Sequence, residues 1–191
     1  MSIAVVVKKG QYVAIGSDTL TRLGSTRETA DYVENHSKIL RVGTSYIVPV
    51  GPASSNLVLS SYFSNLRKSP ALNNPKSIFE EARKMQRVLK DKYFLRVFEE
   101  DDDEFESLRL DCLIANPWGI FGLYRLRSVH AYTKFYAFGS GYKFALGAMR
   151  SVYNRLQSAE QIAREGLAAA TEFDDGCAPP VEIKKVKLRK R

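Results

Sequence analysis

Only two cysteines, two histidines and one tryptophan occur in the 191 residues. Cys112 and Cys177 are too few for a disulfide framework and form no Cys-x-x-Cys pair, which argues against a stapled secreted scaffold. His36 and His130 are too far apart to suggest a metal site by spacing, so neither metal nor cofactor is expected. No apolar run approaches the roughly 20 residues that a membrane span needs. The run at the N-terminus, Ile3 to Val7, is shorter than a signal-peptide core and has no cationic segment before it. A cytoplasmic protein with no membrane partner is the expectation.

Hydrophobic residues make up 45% of the chain, enough for a core of two layers or more. The net charge of +8 is unevenly placed. Six of the last eight residues, Lys184 to Arg191, are basic, which leaves the rest of the chain nearly balanced. Seven of the eight residues from Glu99 to Glu106 are acidic. Such runs read as a solvated tail and a solvated loop. The basic tail has no aromatic interleaving, so nucleic acid is not an expected partner.

Along the chain, Ile3 to Val7 reads as a buried strand, Lys8 to Gln11 as a turn and Tyr12 to Ser17 as the second strand of a hairpin. Asp18 to Ser37 reads as a long loop or short strands. Strands are expected at Lys38 to Val42 and Tyr46 to Val50. Leu57, Val58, Ser61, Tyr62 and Leu66 recur at helical spacing. A second helix is expected from Ser77, with Ser77 and Glu80 as a capping box and Phe79, Ala82, Val88 and Leu89 as its buried stripe. Strands follow at Leu110 to Ala115, Gly119 to Tyr124 and Tyr132 to Phe138. Helices follow at about Tyr142 to Leu156 and from Ser158, where Gln161 completes a second capping box. A last strand covers about Val181 to Leu188. Clustered strands of this kind favour antiparallel sheets with helices layered outside, in one domain over residues 1–188. Cys112 reads as core and Trp118 as strand-end packing.

Several short motifs stand in a particular order. A small hydroxyl residue, Ser2, directly follows the initiator Met and precedes an apolar strand and the hairpin glycine Gly10. Val13-Ala14-Ile15-Gly16-Ser17 ends in Asp18. Lys38-Ile39 is a lysine–aliphatic pair, and Lys38 is the sole lysine between Lys9 and Lys68. Gly51 follows a strand and opens a helix. Ala137-Phe138-Gly139-Ser140-Gly141 leads into a helix rich in small residues. Asp174-Asp175-Gly176-Cys177-Ala178 precedes the last strand. Each motif alone is uninformative: Asp18 would serve as a turn residue, Lys38 as a surface lysine, Gly51 as a strand terminator and Ser140 as a turn former. Together, in this order, they resemble the proteasome β-subunit and HslV-type N-terminal-nucleophile hydrolase family. The long acidic insertion, the stretch from Ala115 to Gly122 and Glu172-Phe173-Asp174 bring the chain nearest to the betaproteobacterial proteasome homologues.

The resemblance implies an α+β fold, a four-layer αββα sandwich with two antiparallel sheets between helix pairs. It implies a site built from Ser2, Asp18, Lys38, Gly51, Ser140, Asp174 and Cys177, a homo-oligomer of stacked heptameric or hexameric rings, peptide or unfolded-protein substrates, and an unfoldase ATPase as partner. The chemistry is coherent. A serine hydroxyl is a poor nucleophile without a base. Once Met1 is removed, the α-amine of Ser2 supplies one, with a reference pKa of about 7.7–8.0. A neighbouring Lys38 cation would tune that amine, and a buried lysine needs a carboxylate, here Asp18. Gly51 N–H would face the oxyanion, while Ser140 and Asp174 would orient the amine. Two departures stand out. Serine replaces the family's usual threonine, which loses the β-methyl that restricts χ1. Cys177 and Ala178 replace a Ser-Gly pair, and a thiol is a weaker hydrogen-bond partner than a hydroxyl. A ring scaffold that keeps Met1, and a small-amide hydrolase of the same fold, are the alternatives.

Overall fold

The computed structural model describes residues 2–96 and 105–190. Met1, Arg191 and the acidic block up to residue 104 lie outside them. The first half of the chain forms β1 (Ile3–Lys9), β2 (Tyr12–Asp18), β3 (Thr21–Leu23), β4 (Thr26–Glu28), β5 (Leu40–Val42) and β6 (Ser45–Val50). Two helices follow, α1 (Ser54–Ser64) and α2 (Pro75–Tyr93). The second half contributes β7 (Asp111–Asn116), β8 (Gly119–Leu123), β9 (Val129–Tyr132), β10 (Phe135–Gly139), α3 (Tyr142–Val152), α4 (Ala159–Phe173) and β11 (Val181–Lys187).

The strands form two main antiparallel sheets, ordered β10-β1-β2-β11 and β5-β6-β7-β8-β9. The alternation of side chains along each strand explains the layering. In β1, Ile3, Val5 and Val7 pack against Ala145, Met149, Ile162, Ala163 and Leu167 of α3 and α4. The intervening Ala4 and Val6 face the other sheet and meet Val48, Leu113, Ala115 and Ile120. In β7, Cys112 and Ile114 turn outward to Leu59, Ile78, Ala82 and Met85 of α1 and α2. Strands covered on both faces lose the polar alternation of a surface sheet and read as continuous apolar runs. The architecture is thus the four-layer αββα sandwich.

Several local expectations are corrected. Helix α2 is capped by Asn74, not Ser77: Asn74 Oδ1 accepts Ser77 N–H at 3.0 Å and Asn74 N–H donates to Ser77 Oγ at 3.2 Å. Pro75 at the first helical position explains the shift, since its missing N–H costs nothing there. Ser77 is the reciprocal partner three residues on, and Glu80 instead pairs with Arg83 at 2.9 Å. The buried stripe is Ile78, Ala82, Met85, Gln86 and Leu89, so Phe79 is exposed. In α1 the buried residues are Leu59 and Tyr62, while Leu57 is exposed. Helix α3 ends at Val152 rather than near Leu156. Trp118 sits half-exposed in the β7–β8 turn.

The basic C-terminal run is partly strand. Lys184, Lys185 and Lys187 pair with Ile15, Ala14 and Tyr12 along the sheet edge. Lysines on an edge strand oppose pairing with a foreign strand. No helix among the described residues is long and apolar enough to cross a membrane.

Candidate active site

The β1–β2 hairpin does the first positioning. Its register sets Ala4 opposite Ser17, which carries Asp18 to the start of β1. Asp18 is fully buried, and its carboxylate is held by main-chain donors: Ile3 N–H to Oδ1 at 3.0 Å and Leu20 N–H to Oδ2 at 3.1 Å. A buried carboxylate also requires a cation. Lys38 provides it, with Nζ 2.9 Å from Asp18 Oδ1. Strand β5 starts at Leu40, two residues later than the sequence suggests, so Lys38 lies in the preceding loop and reaches inward.

The lysine's three N–H groups are all engaged. Besides Asp18, Nζ donates to Ser2 Oγ at 3.0 Å and to Leu20 O at 2.6 Å. The Nζ group thus donates to three acceptors at once, one of them Ser2 Oγ. The Leu20 carbonyl was not legible beforehand, because a main-chain acceptor carries no residue-type signal.

The second positioning element is the end of β10. Ile3 pairs with Gly139, and Ser140 N–H donates to Ser2 O at 2.9 Å. Gly139 has φ +109°, and a Cβ there would lie 2.0 Å from Ser2 O. Only glycine permits that approach. Ser140 Oγ donates to Asp174 Oδ1 at 2.8 Å. Asp174, the residue that ends α4, also accepts Gly176 N–H at 3.0 Å and the Cys177 thiol at 3.2 Å. Burial, followed by the negative charge of Asp18, pushes the Cys177 thiol up to about 12, so it stays protonated and donates. This cluster meets Ser2 at its carbonyl, which accepts Ser140 N–H.

Gly51, with φ +149°, lies between β6 and α1. It lines a cleft of about 540 Å³ together with Ser2 and Lys38. Leu20, Pro49, Ala53 and the exposed Leu57 supply apolar wall, and Arg22, Asn56 and His36 supply polar groups. Of the seven expected site residues, Ser2, Lys38 and Gly51 line this cleft; Asp18 stands behind Lys38, and Ser140, Asp174 and Cys177 form a cluster on the other side of Ser2.

No protein-family model and no curated protein matches the chain. Solved structures do. Thiobacillus denitrificans BPH is 42% identical, with 99% of this chain and 100% of that chain covered and a TM-score of 0.94. The same protein in complex with epoxomicin gives 42% identity, 98% and 100% coverage and a TM-score of 0.93. The eukaryotic HslV from Trypanosoma brucei, 17% identical over 97% of this chain and 99% of that one, shares the fold at a TM-score of 0.67. With a relative this similar over its whole length, and the sandwich built around the same order of motifs, the chain belongs to the proteasome/HslV family of N-terminal-nucleophile proteins, beside the bacterial proteasome homologue BPH.

Proposed function

We propose that the chain is the peptidase subunit of a self-compartmentalising ring, with Ser2 as nucleophile once Met1 is removed. The observation that carries this reading is the Lys38 ammonium, 3.0 Å from Ser2 Oγ and 2.9 Å from the buried Asp18. A surface lysine has no reason to bridge a buried carboxylate and a buried serine hydroxyl at the start of a strand.

In the proposed reaction the freed α-amine of Ser2 takes the Oγ proton as Oγ attacks the peptide carbonyl. The Lys38 ammonium stabilises the charge developing on Oγ, and Gly51 N–H receives the oxyanion. Collapse of the tetrahedral intermediate breaks the C–N bond. The amine returns its proton to the leaving amine, which leaves an acyl ester on Ser2. The same amine then deprotonates the water that hydrolyses the ester. Ser140, through Ser2 O, fixes where the amine stands, and Asp174 with Cys177 holds Ser140. Buried thiols at Cys112 and Cys177 accord with a reducing cytoplasm. Stacked rings of six or seven subunits, fed with unfolded protein by an ATPase, complete the reading.

The test is intact mass together with hydrolysis of a fluorogenic peptide by the wild type and Ser2→Ala. Loss of Met1 and of all turnover in Ser2→Ala is the expected result; equal turnover in both would sink the mechanism. Mass photometry showing only monomers would sink the ring.

A further inference from the structure

Among the described residues, two buried side-chain polar atoms have no hydrogen-bond partner: Arg22 Nε and Asn56 Oδ1. Both residues line the cleft that holds Ser2. Neither coincidence is expected of a folded chain, because an unmet buried donor or acceptor destabilises the native state and is rare.

Other polar atoms of each side chain do have partners. Arg22, on β3, anchors its Nη1 to Asp175 Oδ2 at 2.8 Å. Asn56, in the first turn of α1, donates Nδ2–H to Ser37 O at 2.7 Å. The Ser37 carbonyl fixes the amide orientation, since the flipped amide would set oxygen against oxygen. One unmet donor and one unmet acceptor therefore belong to two residues that line one cleft. An extended peptide offers the complement, a carbonyl and an N–H at every residue, whatever its side chains.

We propose that Arg22 and Asn56 hold the main chain of the substrate, Arg22 Nε–H donating to a substrate carbonyl and Asn56 Oδ1 accepting a substrate N–H. This rests on reading the Ser2 cleft as a peptide site. Both atoms are closed to bulk water when the cleft is empty, so the entering peptide parts the wall locally and supplies the partners the free protein lacks. Binding through main-chain groups makes the contact tolerant of substrate sequence.

The experiment measures binding, so that it does not depend on turnover. A short fluorescein-labelled peptide of uncharged residues is titrated into Ser2→Ala protein by fluorescence polarisation. It is compared with a series in which one amide at a time is replaced by an ester, which removes a single N–H. One ester position is expected to weaken binding about threefold to tenfold, and that penalty disappears when Asn56→Ala is added. Arg22→Lys keeps the cation beside Asp175 but has no Nε; it is expected to weaken the all-amide peptide about tenfold. The ester series on unaltered Arg22 and Asn56 needs no cleft variant, so a misfolded variant does not decide the matter. The proposal is overturned if no ester position weakens binding, if the ester penalty is the same with and without Asn56, or if Arg22→Lys binds unchanged. Peptide bound with the expected pattern but not hydrolysed by the wild type would remove the peptidase reading and leave this contact standing. No binding at all would remove both.

Discussion

Lys38 Nζ stands 3.0 Å from Ser2 Oγ while the same ammonium holds Asp18 at 2.9 Å. Under the proposed mechanism the pair joins stability to chemistry, and Lys38→Met tests both. Without the cation, the fully buried Asp18 keeps only its main-chain donors. Breaking such a pair by removing one partner costs about 3–5 kcal/mol. If Ser2 is the nucleophile as proposed, loss of charge stabilisation beside Oγ is expected to lower kcat by about 10²–10³-fold. Denaturant melts and peptide hydrolysis read the two effects; an unchanged unfolding midpoint would show that the buried pair contributes nothing.

Gly139→Ala tests the close approach of β10 to Ser2. The added Cβ would lie 2.0 Å from Ser2 O, at a φ of +109° that alanine resists. Strain and overpacking of this kind cost about 3 kcal/mol or more. For a chain of this size that lowers Tm by about 6–12 °C. Thermal unfolding checks it, and wild-type stability in the variant would mean that β10 moves away freely.

The buried thiols set an alkaline limit. In the unfolded chain a cysteine titrates near 8.5, whereas burial raises Cys177 to about 12 and raises Cys112 as well. Both contribute stability that is fully present below about pH 8.5. As pH rises beyond that, the unfolded state releases protons that the folded state keeps, and stability falls by up to about 1.4 kcal/mol per pH unit for each thiol. Urea midpoints from pH 7 to 11 read this decline. Cys177→Ala is expected to flatten it, and a slope identical to wild type would contradict the burial of that thiol.

Helix α2 offers a test of which residue caps it. Asn74→Ala removes the side-chain acceptor of Ser77 N–H and costs about 1 kcal/mol, about 2–4 °C in Tm. Ser77→Ala leaves the Asn74 acceptor in place and costs less. The reverse order would return the cap to Ser77.

How much of this was legible beforehand varies by element. The five apolar residues that open β1 announce a buried strand, and antiparallel sheets with helices layered outside follow from strands grouped rather than alternating with helices. Ala82 and Leu89 sit at helical spacing and are buried as expected. Leu57 and Phe79 obey the same spacing and are exposed. Periodicity reports which residues share a face, not where the neighbouring layer ends. The strand-start reading of Lys38 fails for a related reason: its pull toward Asp18 comes from a charge buried twenty residues earlier.

The order of elements therefore indicated antiparallel sheets with helices layered outside, and the resemblance carried by the motifs implied the four-layer sandwich and nominated Ser2, Asp18 and Lys38. Those features are local: a run of β-branched residues, a hairpin glycine, a helical period. Only the tertiary structure decided that Lys38 spends its three protons on Ser2, Asp18 and Leu20 O, and that Gly139 clears the Ser2 carbonyl. It alone left Arg22 Nε and Asn56 Oδ1 unmet beside the same cleft. Main-chain acceptors and unfilled hydrogen bonds exist only once distant segments meet, because they belong to the geometry of burial and to no residue type.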